Sequence, residues 1–143
     1  MKLPGLLLLM VLASRGCVPA GGHQDVIRIV YSEETRGSRY EVVAQPGSLE
    51  VTKGGLDPGT QKRALAPGQW ESLLQEVGAI GSVDLETLQT ITSESAADRA
   101  AMARLEVGRA SGNSQTGYFD AGNPPAPIRP LVSKLLELAD SVE

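Results

Sequence analysis

Alternating apolar and polar residues predict that the N-terminal half of this chain forms β-strands. Residues 25–31 (DVIRIVY) have a two-residue period, which places successive side chains on opposite faces of a strand. The predicted strand carries Ile27, Ile29 and Tyr31 on one face, and Val26, Arg28 and Val30 on the other.

Two further strands follow with the same period. They cover residues 39–45 (RYEVVAQ) and 48–53 (SLEVTK), and Pro46-Gly47 lies between them. That pair is typical of a tight turn, because proline presets φ and glycine accepts a positive φ. A hairpin is therefore predicted here.

The stretch before residue 67 adds a loop and a fourth strand. Residues 54–59 (GGLDPG) read as a loop, and the more polar residues 60–66 predict a strand. Lys62 and Arg63 suit a solvated edge of the sheet, because charged side chains discourage further strand pairing.

From residue 67 the apolar residues recur every three to four positions, which indicates a helix. Pro67 suits the first helical position, and Gly78 lies where a left-handed cap would end the helix. The apolar stripe consists of Trp70, Leu73, Leu74 and Val77. A short helical turn is predicted over residues 83–88, with Asp84 as its N-cap.

Residues 93–107 are compatible with two structures. Their alanines favour a helix, but from Ala101 onward apolar and polar residues alternate as in a strand. We favour the strand, because residues 111–114 (SGNS) predict a hairpin turn and residues 115–119 a return strand. A hairpin needs both arms.

Residues 128–142 predict a second amphipathic helix, which begins near Pro130 because proline lacks the N–H that a helix interior uses. The element order is then β-β-β-β-α-β-β-α. This order predicts an α+β fold with an antiparallel sheet of about five to six strands packed by two main helices.

The first residues predict export. A positive start at Lys2 and an apolar run over residues 6–13 are typical of a signal peptide, which we place at residues 1–16. Cys17 follows directly and is the predicted lipidation site of a bacterial lipoprotein. The alternative is cleavage after the A-x-A-like residues 18–20, which would discard the cysteine. Residues 17–24 then form a tether, and residues 25–143 form a single domain.

Charge and composition argue against several function classes. Loss of Lys2 and Arg15 with the signal peptide reduces the 13 basic residues to 11 against 17 acidic ones, a formal charge of −6. Nucleic acid, which needs a basic surface, is therefore not a predicted partner. The single histidine, His23, and the single cysteine argue against most catalytic triads and multi-thiolate metal sites. We predict no catalytic residue, no metal and no cofactor. An enzyme that uses only carboxylates stays open.

The most distinctive stretch is residues 118–125 (YFDAGNPP). One interpretation is a strand exit, in which Asp120 and Asn123 bond nearby backbone N–H groups and Gly122 adopts a positive φ. The other is a rigid loop that presents Phe119 and Asp120 to a protein partner, since rigid loops lose little entropy on binding. Phe119, Asp120 and Asn123 are therefore the candidate partner-binding residues.

The run FDAGNPPAPIRPLVSKLLELA resembles the C-terminal part of a family of small secreted bacterial lipoproteins of uncharacterised function. That family often has a histidine at the position of Ala121. More remotely, the order of strands, helix, hairpin, proline-rich turn and helix over residues 26–138 is similar to emfourin, a protein inhibitor of thermolysin-like metalloproteases. The resemblance implies an extracytoplasmic protein that binds another protein.

These observations predict a secreted or lipid-anchored, non-enzymatic protein-binding domain, and the emfourin resemblance implies a protease inhibitor. The membrane is a partner only through the lipid anchor. The alternative is a small envelope lipoprotein with a structural or assembly role.

Overall fold

The computed structural model describes residues 23, 25–91 and 101–142. In those ranges an antiparallel sheet is backed by two helices, which confirms the predicted α+β class. The strands are β1 (Val26–Glu34), β2 (Arg39–Gln45), β3 (Ser48–Gly54), β4 (Gly59–Ala64), β5 (Met102–Arg109), β6 (Gly112–Gln115) and β7 (Phe119–Asp120). The helices are α1 (Pro67–Ile80) and α2 (Arg129–Asp140).

The sheet has the order β4-β3-β2-β1-β5-β6, and β7 pairs with the first residues of β5. The first four strands form a meander, in which each strand pairs with the one before it. After α1 the chain returns so that β5 pairs with the free side of β1. β1 is therefore a central strand, although it is the first in the chain.

Both helices pack on one face of the sheet, here called the helix-covered face. Alternate residues of the strands point into it and form one buried cluster with the apolar sides of α1 and α2. Its largest fully buried side chains include Tyr31, Phe119, Ile29, Leu49, Leu73, Leu105, Leu131 and Leu135. The opposite face, here called the outer face, carries paired charges of the same strands, such as those of Arg28, Arg39, Glu41 and Glu106.

The predicted faces of β1 are wrong at its start. The pairing of β1 with β5 shifts between Val26 and Arg28, which is a β-bulge. Beyond the bulge Ile29 and Tyr31 are buried as expected, but Val26 joins them in the core and Ile27 is 53% exposed. The extra residue of the bulge reverses the alternation for the residues that precede it.

Helix α1 begins at Pro67 as predicted but ends later than expected. It continues through Gly78 to Ile80, whose side chain is buried, and Gly81 forms the C-cap with a φ of 65°. The predicted end at Gly78 is therefore wrong. The N-cap at Asp84 is confirmed, because its carboxylate accepts a hydrogen bond from the backbone N–H of Glu86 at 3.0 Å.

The strand prediction for residues 102–107 is confirmed, and residues 92–100 lie outside the described residues. The hairpin turn falls at residues 110–111 rather than 111–114, and the return strand is interrupted. β6 ends at Gln115, the chain leaves the ladder at residues 117–118, and β7 then pairs with Met102 and Ala103. Helix α2 begins at Arg129, one residue before the predicted start.

Candidate functional site

The strand register places three chain connections at the same end of the sheet. Along one row, Asp120 pairs with Met102, Met102 with Glu34, Glu34 with Arg39, and Arg39 with Gly54. The connections that leave this row are residues 35–38, 55–58 and 121–125, here called the three-turn end. Strands in a sheet are about 4.8 Å apart, so neighbouring connections are spaced by about 10 Å and the outer two by about 20 Å.

The first connection, residues 35–38, is fixed by its own hydroxyl groups. The Thr35 Oγ1 accepts hydrogen bonds from the backbone N–H of Ser38 at 3.1 Å and of Gly37 at 3.4 Å, and lies 2.8 Å from the Ser38 Oγ. The Thr35 N–H also donates to the Ser38 carbonyl at 3.0 Å. These bonds form a compact turn with little freedom to rearrange.

The second connection, residues 55–58, packs against the first. Gly55 has a φ of 114°, and a Cβ at this position would lie 2.8 Å from the Gly37 carbonyl oxygen. The close approach therefore requires glycine, for space as well as for backbone conformation. Because the two connections touch, each one limits the movement of the other.

Leu56 lies at the tip of that second connection and is fully exposed, at 107% of its reference surface. The residues that follow Leu56 in the same connection line a cleft of about 270 Å³, on the side of the sheet that Val51 faces. The cleft is lined by Val51, Lys53, Asp57, Pro58, Gly59 and Gln61. The sequence pattern predicts residues 54–59 only as a loop. The available signal was a lone apolar residue among glycine, aspartate and proline.

The predicted site residues at the third connection, residues 121–125, differ in their exposure to solvent. Phe119 is completely buried and Asp120 is 8% exposed, so of the three candidates only Asn123 is exposed to a partner. The expectation that the loop presents Phe119 and Asp120 is thus corrected, because β7 directs the phenylalanine into the core. Asn123 donates its backbone N–H to the Asp120 carbonyl at 2.8 Å, which closes the turn.

The predicted bonding of the Asp120 side chain and the predicted positive φ of Gly122 are also wrong. The Asp120 Oδ1 is buried without a hydrogen-bond partner among the described residues, and Gly122 does not adopt a positive φ. The prolines do lead into the last helix as expected. The Pro124 carbonyl accepts two bonds from the Arg129 guanidinium, at 3.3 and 3.2 Å. That charged anchor fixes the end of the connection.

Beneath the three-turn end lies a buried tyrosine. The Tyr31 hydroxyl donates to the Glu33 carboxylate at 2.6 Å, and the Tyr31 ring lies 6.5 Å from the Phe119 ring, centroid to centroid. Burial, followed by the hydrogen bond and the negative charge of Glu33, raises the pKa of Tyr31 above its ordinary value. The hydroxyl therefore stays protonated and acts as a structural donor.

The outer face carries paired charges. Arg39 contacts the carboxylates of Glu41 at 2.7 Å and Glu34 at 3.5 Å. The hydrogen bond to Glu41 and the negative charge of Glu41 raise the pKa of Arg39.

Other arginines and lysines near Arg39 also have partners. The Arg104 guanidinium lies 4.9 Å from the centroid of the Tyr118 ring. Further ion pairs join Arg28 to Glu106 at 3.6 Å and Lys62 to Glu50 at 3.9 Å. Charges of both signs are thus matched within this face.

A larger cleft, of about 630 Å³, lies at the opposite end of the sheet beside the C-terminus of α1. It includes Arg109 and His23, and His23 is the one residue of the predicted tether that the structure describes. Arg109 is already engaged, at 3.8 Å from the Asp25 carboxylate and 3.3 Å from the Ser114 hydroxyl. This internal pairing favours the three-turn end as the binding surface. Cys17 lies outside the described residues.

Within the described ranges no three histidine, cysteine, aspartate or glutamate side chains converge in a way that could hold a metal ion. Neither helix there is long and apolar enough to cross a membrane.

No protein-family model matches the chain, and no curated protein is significantly similar to it. Its function is therefore inferred from its residues and their geometry.

Proposed function

We propose that this protein is an exported, non-enzymatic binding domain that uses the three-turn end to bind another protein, and that this partner is a protease. The observation that carries the proposal is the convergence of three short connections on one row of the sheet. Two of them are closed by hydrogen bonds of their own, and the connection of residues 55–58 packs against its neighbour. Rigid loops on a packed scaffold bind with a small entropic cost, which is how many protein-binding surfaces are built.

The dimensions of the three-turn end suit a protein partner better than a small molecule. Its outer connections are about 20 Å apart on the strand spacing, which is comparable with one side of a standard protein–protein interface. Its exposed residues include an apolar leucine, Leu56, and a polar asparagine, Asn123. These two residues lie in the two outer connections, with the polar turn of residues 35–38 between them, and protein–protein interfaces commonly combine apolar and polar groups.

Titration of thermolysin-like proteases with the purified protein tests the proposal. We expect stoichiometric loss of protease activity at concentrations up to micromolar, with the inhibitor chain recovered intact by mass spectrometry. Full protease activity in the presence of micromolar protein would contradict the proposed inhibition. Rapid proteolysis of the folded domain would also contradict it, because the chain would then be a substrate.

The proposed location is extracytoplasmic, with Cys17 carrying a lipid anchor, because the cysteine lies shortly after the apolar run, directly behind the predicted signal peptide. Mass spectrometry of the mature N-terminus tests this. A diacylated or triacylated Cys17 is the expected result. A mature chain that begins directly after Ala20 would lack Cys17 and would indicate a secreted protein without a lipid anchor. An intact Met1 on protein recovered from the cytosol would contradict export.

A structural or assembly role in the envelope is the second candidate, and the same cysteine favours it. An envelope scaffold would be retained by other envelope components. Affinity capture from a membrane fraction that returned such components and no protease would support this role over inhibition.

A further inference from the structure

The chain enters the domain at the end of the sheet opposite the three-turn end, and we call this opposite end the entry end. Val26, the first residue of β1, lies here, whereas Glu34, its last residue, lies in the row from which the three connections leave. The turn of residues 110–111 and the end of α1 at Gly81 also lie at the entry end. Because β1 has nine residues, the two ends are about 26 Å apart.

Several contacts fix the position of the chain at the entry end. The Asp25 carbonyl accepts a hydrogen bond from the backbone N–H of Ala110 at 3.0 Å, and the Asp25 carboxylate accepts one from the Ser111 hydroxyl at 3.1 Å. The His23 ring lies against α1, where a Cβ on Gly78 would be 3.3 Å from the His23 Nδ1. The fold therefore sets where the chain is at residue 23.

The number of residues between this fixed point and Cys17 limits where a lipid on Cys17 can be. His23 follows Cys17 by six residues. Six residues span at most about 21 Å even when fully extended. A molecule that stood on a membrane with its three-turn end would hold His23 about 26 Å or more from the lipid, which is beyond that reach. The three-turn end therefore cannot be the end on which an anchored molecule stands.

The surface residues favour the entry end over the broad faces as the part that meets the lipid. Ile27, beside the bulge of β1, and Val83, just after α1, are exposed apolar residues at the entry end. Apolar side chains suit the boundary between headgroups and acyl chains. Ion pairs instead cross the outer face and join the two helices. Leu56 is more exposed than Ile27 or Val83, but it lies at the end on which the molecule cannot stand.

We infer that the entry end lies on the membrane surface and that the three-turn end points away from it. The inference rests on the proposed lipid anchor at Cys17 and names the part of the domain that contacts the lipid. In this orientation the anchor holds one end of the sheet, and the other end stays accessible to a protein partner.

Fluorescence quenching in vesicles tests the orientation. The acylated full chain is purified from membranes and placed in phosphatidylcholine vesicles that contain a lipid with a nitroxide on its headgroup. Acylation occupies Cys17, the one cysteine of the sequence, so Val83→Cys and Leu56→Cys each provide a single thiol for the same fluorescent label. We expect loss of most of the fluorescence at residue 83 and little loss at residue 56, because the two ends are about 26 Å apart.

Two controls accompany the measurement. Vesicles without the nitroxide show whether the fluorescence changes for another reason. Both substituted side chains are exposed, so the thermal unfolding midpoints should equal that of the wild type. If Val83→Cys is destabilised, Ala110→Cys provides a second exposed position at the entry end.

The outcomes separate the inference from the proposals on which it depends. Equal quenching at the two ends, or stronger quenching at residue 56, would overturn the orientation and leave the lipid anchor in place. A mature chain without an acyl group on Cys17 would contradict the anchor, and the inference would fail with it. Protease titration is a separate measurement, so a lack of inhibition would contradict the proposed inhibitor function and leave the orientation unaffected.

Discussion

At the scale of single residues, the sequence pattern predicts correctly that many apolar side chains are buried, but it misplaces a few of them. Ile29 and Tyr31 are buried as the two-residue period predicts, but the bulge in β1 exchanges the positions of Val26 and Ile27. A bulge depends on the partner strand, which local alternation does not record. Phe119 was similarly assigned to a partner, because nothing local shows that β7 turns it inward.

Tyr31 provides a prediction at this scale. Tyr31→Phe keeps the buried ring and removes the hydrogen bond to Glu33, so we expect a loss of about 1.5 kcal/mol in the free energy of unfolding at pH 8. Urea unfolding of both proteins measures the difference. The raised pKa predicts how that difference changes with pH.

The folded-state pKa of Tyr31 is higher than the unfolded value, so its contribution to stability is complete below about pH 10 and is lost as the pH rises above it. The wild type should therefore lose about 1 kcal/mol relative to Tyr31→Phe between pH 8 and pH 11. A stability difference that stays constant over this interval would contradict the assignment.

At the scale of elements, the periodic patterns located the helices and most strands, and the errors fall at their ends. The sequence pattern predicts that α1 ends at Gly78, because glycine often caps helices, yet Gly81 carries the positive φ. Ile80 explains the difference, since its burial against the core extends the helix by two residues beyond Gly78. The choice between two glycines depends on packing, which the local sequence does not show.

The two glycines of α1 that have free space around them give a matched pair of variants. Gly81→Ala places a side chain at a φ of 65° and should lower the free energy of unfolding by about 1 kcal/mol or more. Gly68→Ala lies in the first turn without a positive φ and should leave stability unchanged or raise it by up to about 1 kcal/mol. Thermal and urea unfolding provide the comparison; equal effects at the two positions would be inconsistent with the cap.

At the scale of the whole molecule, the sequence predicts that helices pack on an antiparallel sheet. The position of the three-turn end, in contrast, depends on the order in which the strands pair. Antiparallel hairpins put the connections after β1 and β3 at the same end of the sheet, which the strand order along the chain already implies. The return of β5 beside β1 is a long-range pairing with no local signal. It is this pairing that brings residues 121–125 to the same end.

The fold also explains why the outer face is a weaker candidate for binding. Arg28 is paired with Glu106 on a neighbouring strand, and Arg39 with Glu41 on its own strand and Glu34 on the next, so a partner would have to displace these contacts and would gain little net electrostatic attraction. At the three-turn end, contacts with Leu56 and Asn123 would not require a partner to displace an ion pair. We therefore propose that a partner binds at one end of the sheet rather than on a face.

Hydrogen–deuterium exchange of the protein, alone and saturated with an inhibited thermolysin-like protease, tests this assignment most directly. The account predicts slower exchange at residues 35–38, 55–58 and 121–125, with unchanged exchange in α1, α2 and the middle of the sheet. Protection confined to the helices or to the outer strands, with the three connections unchanged, would contradict it.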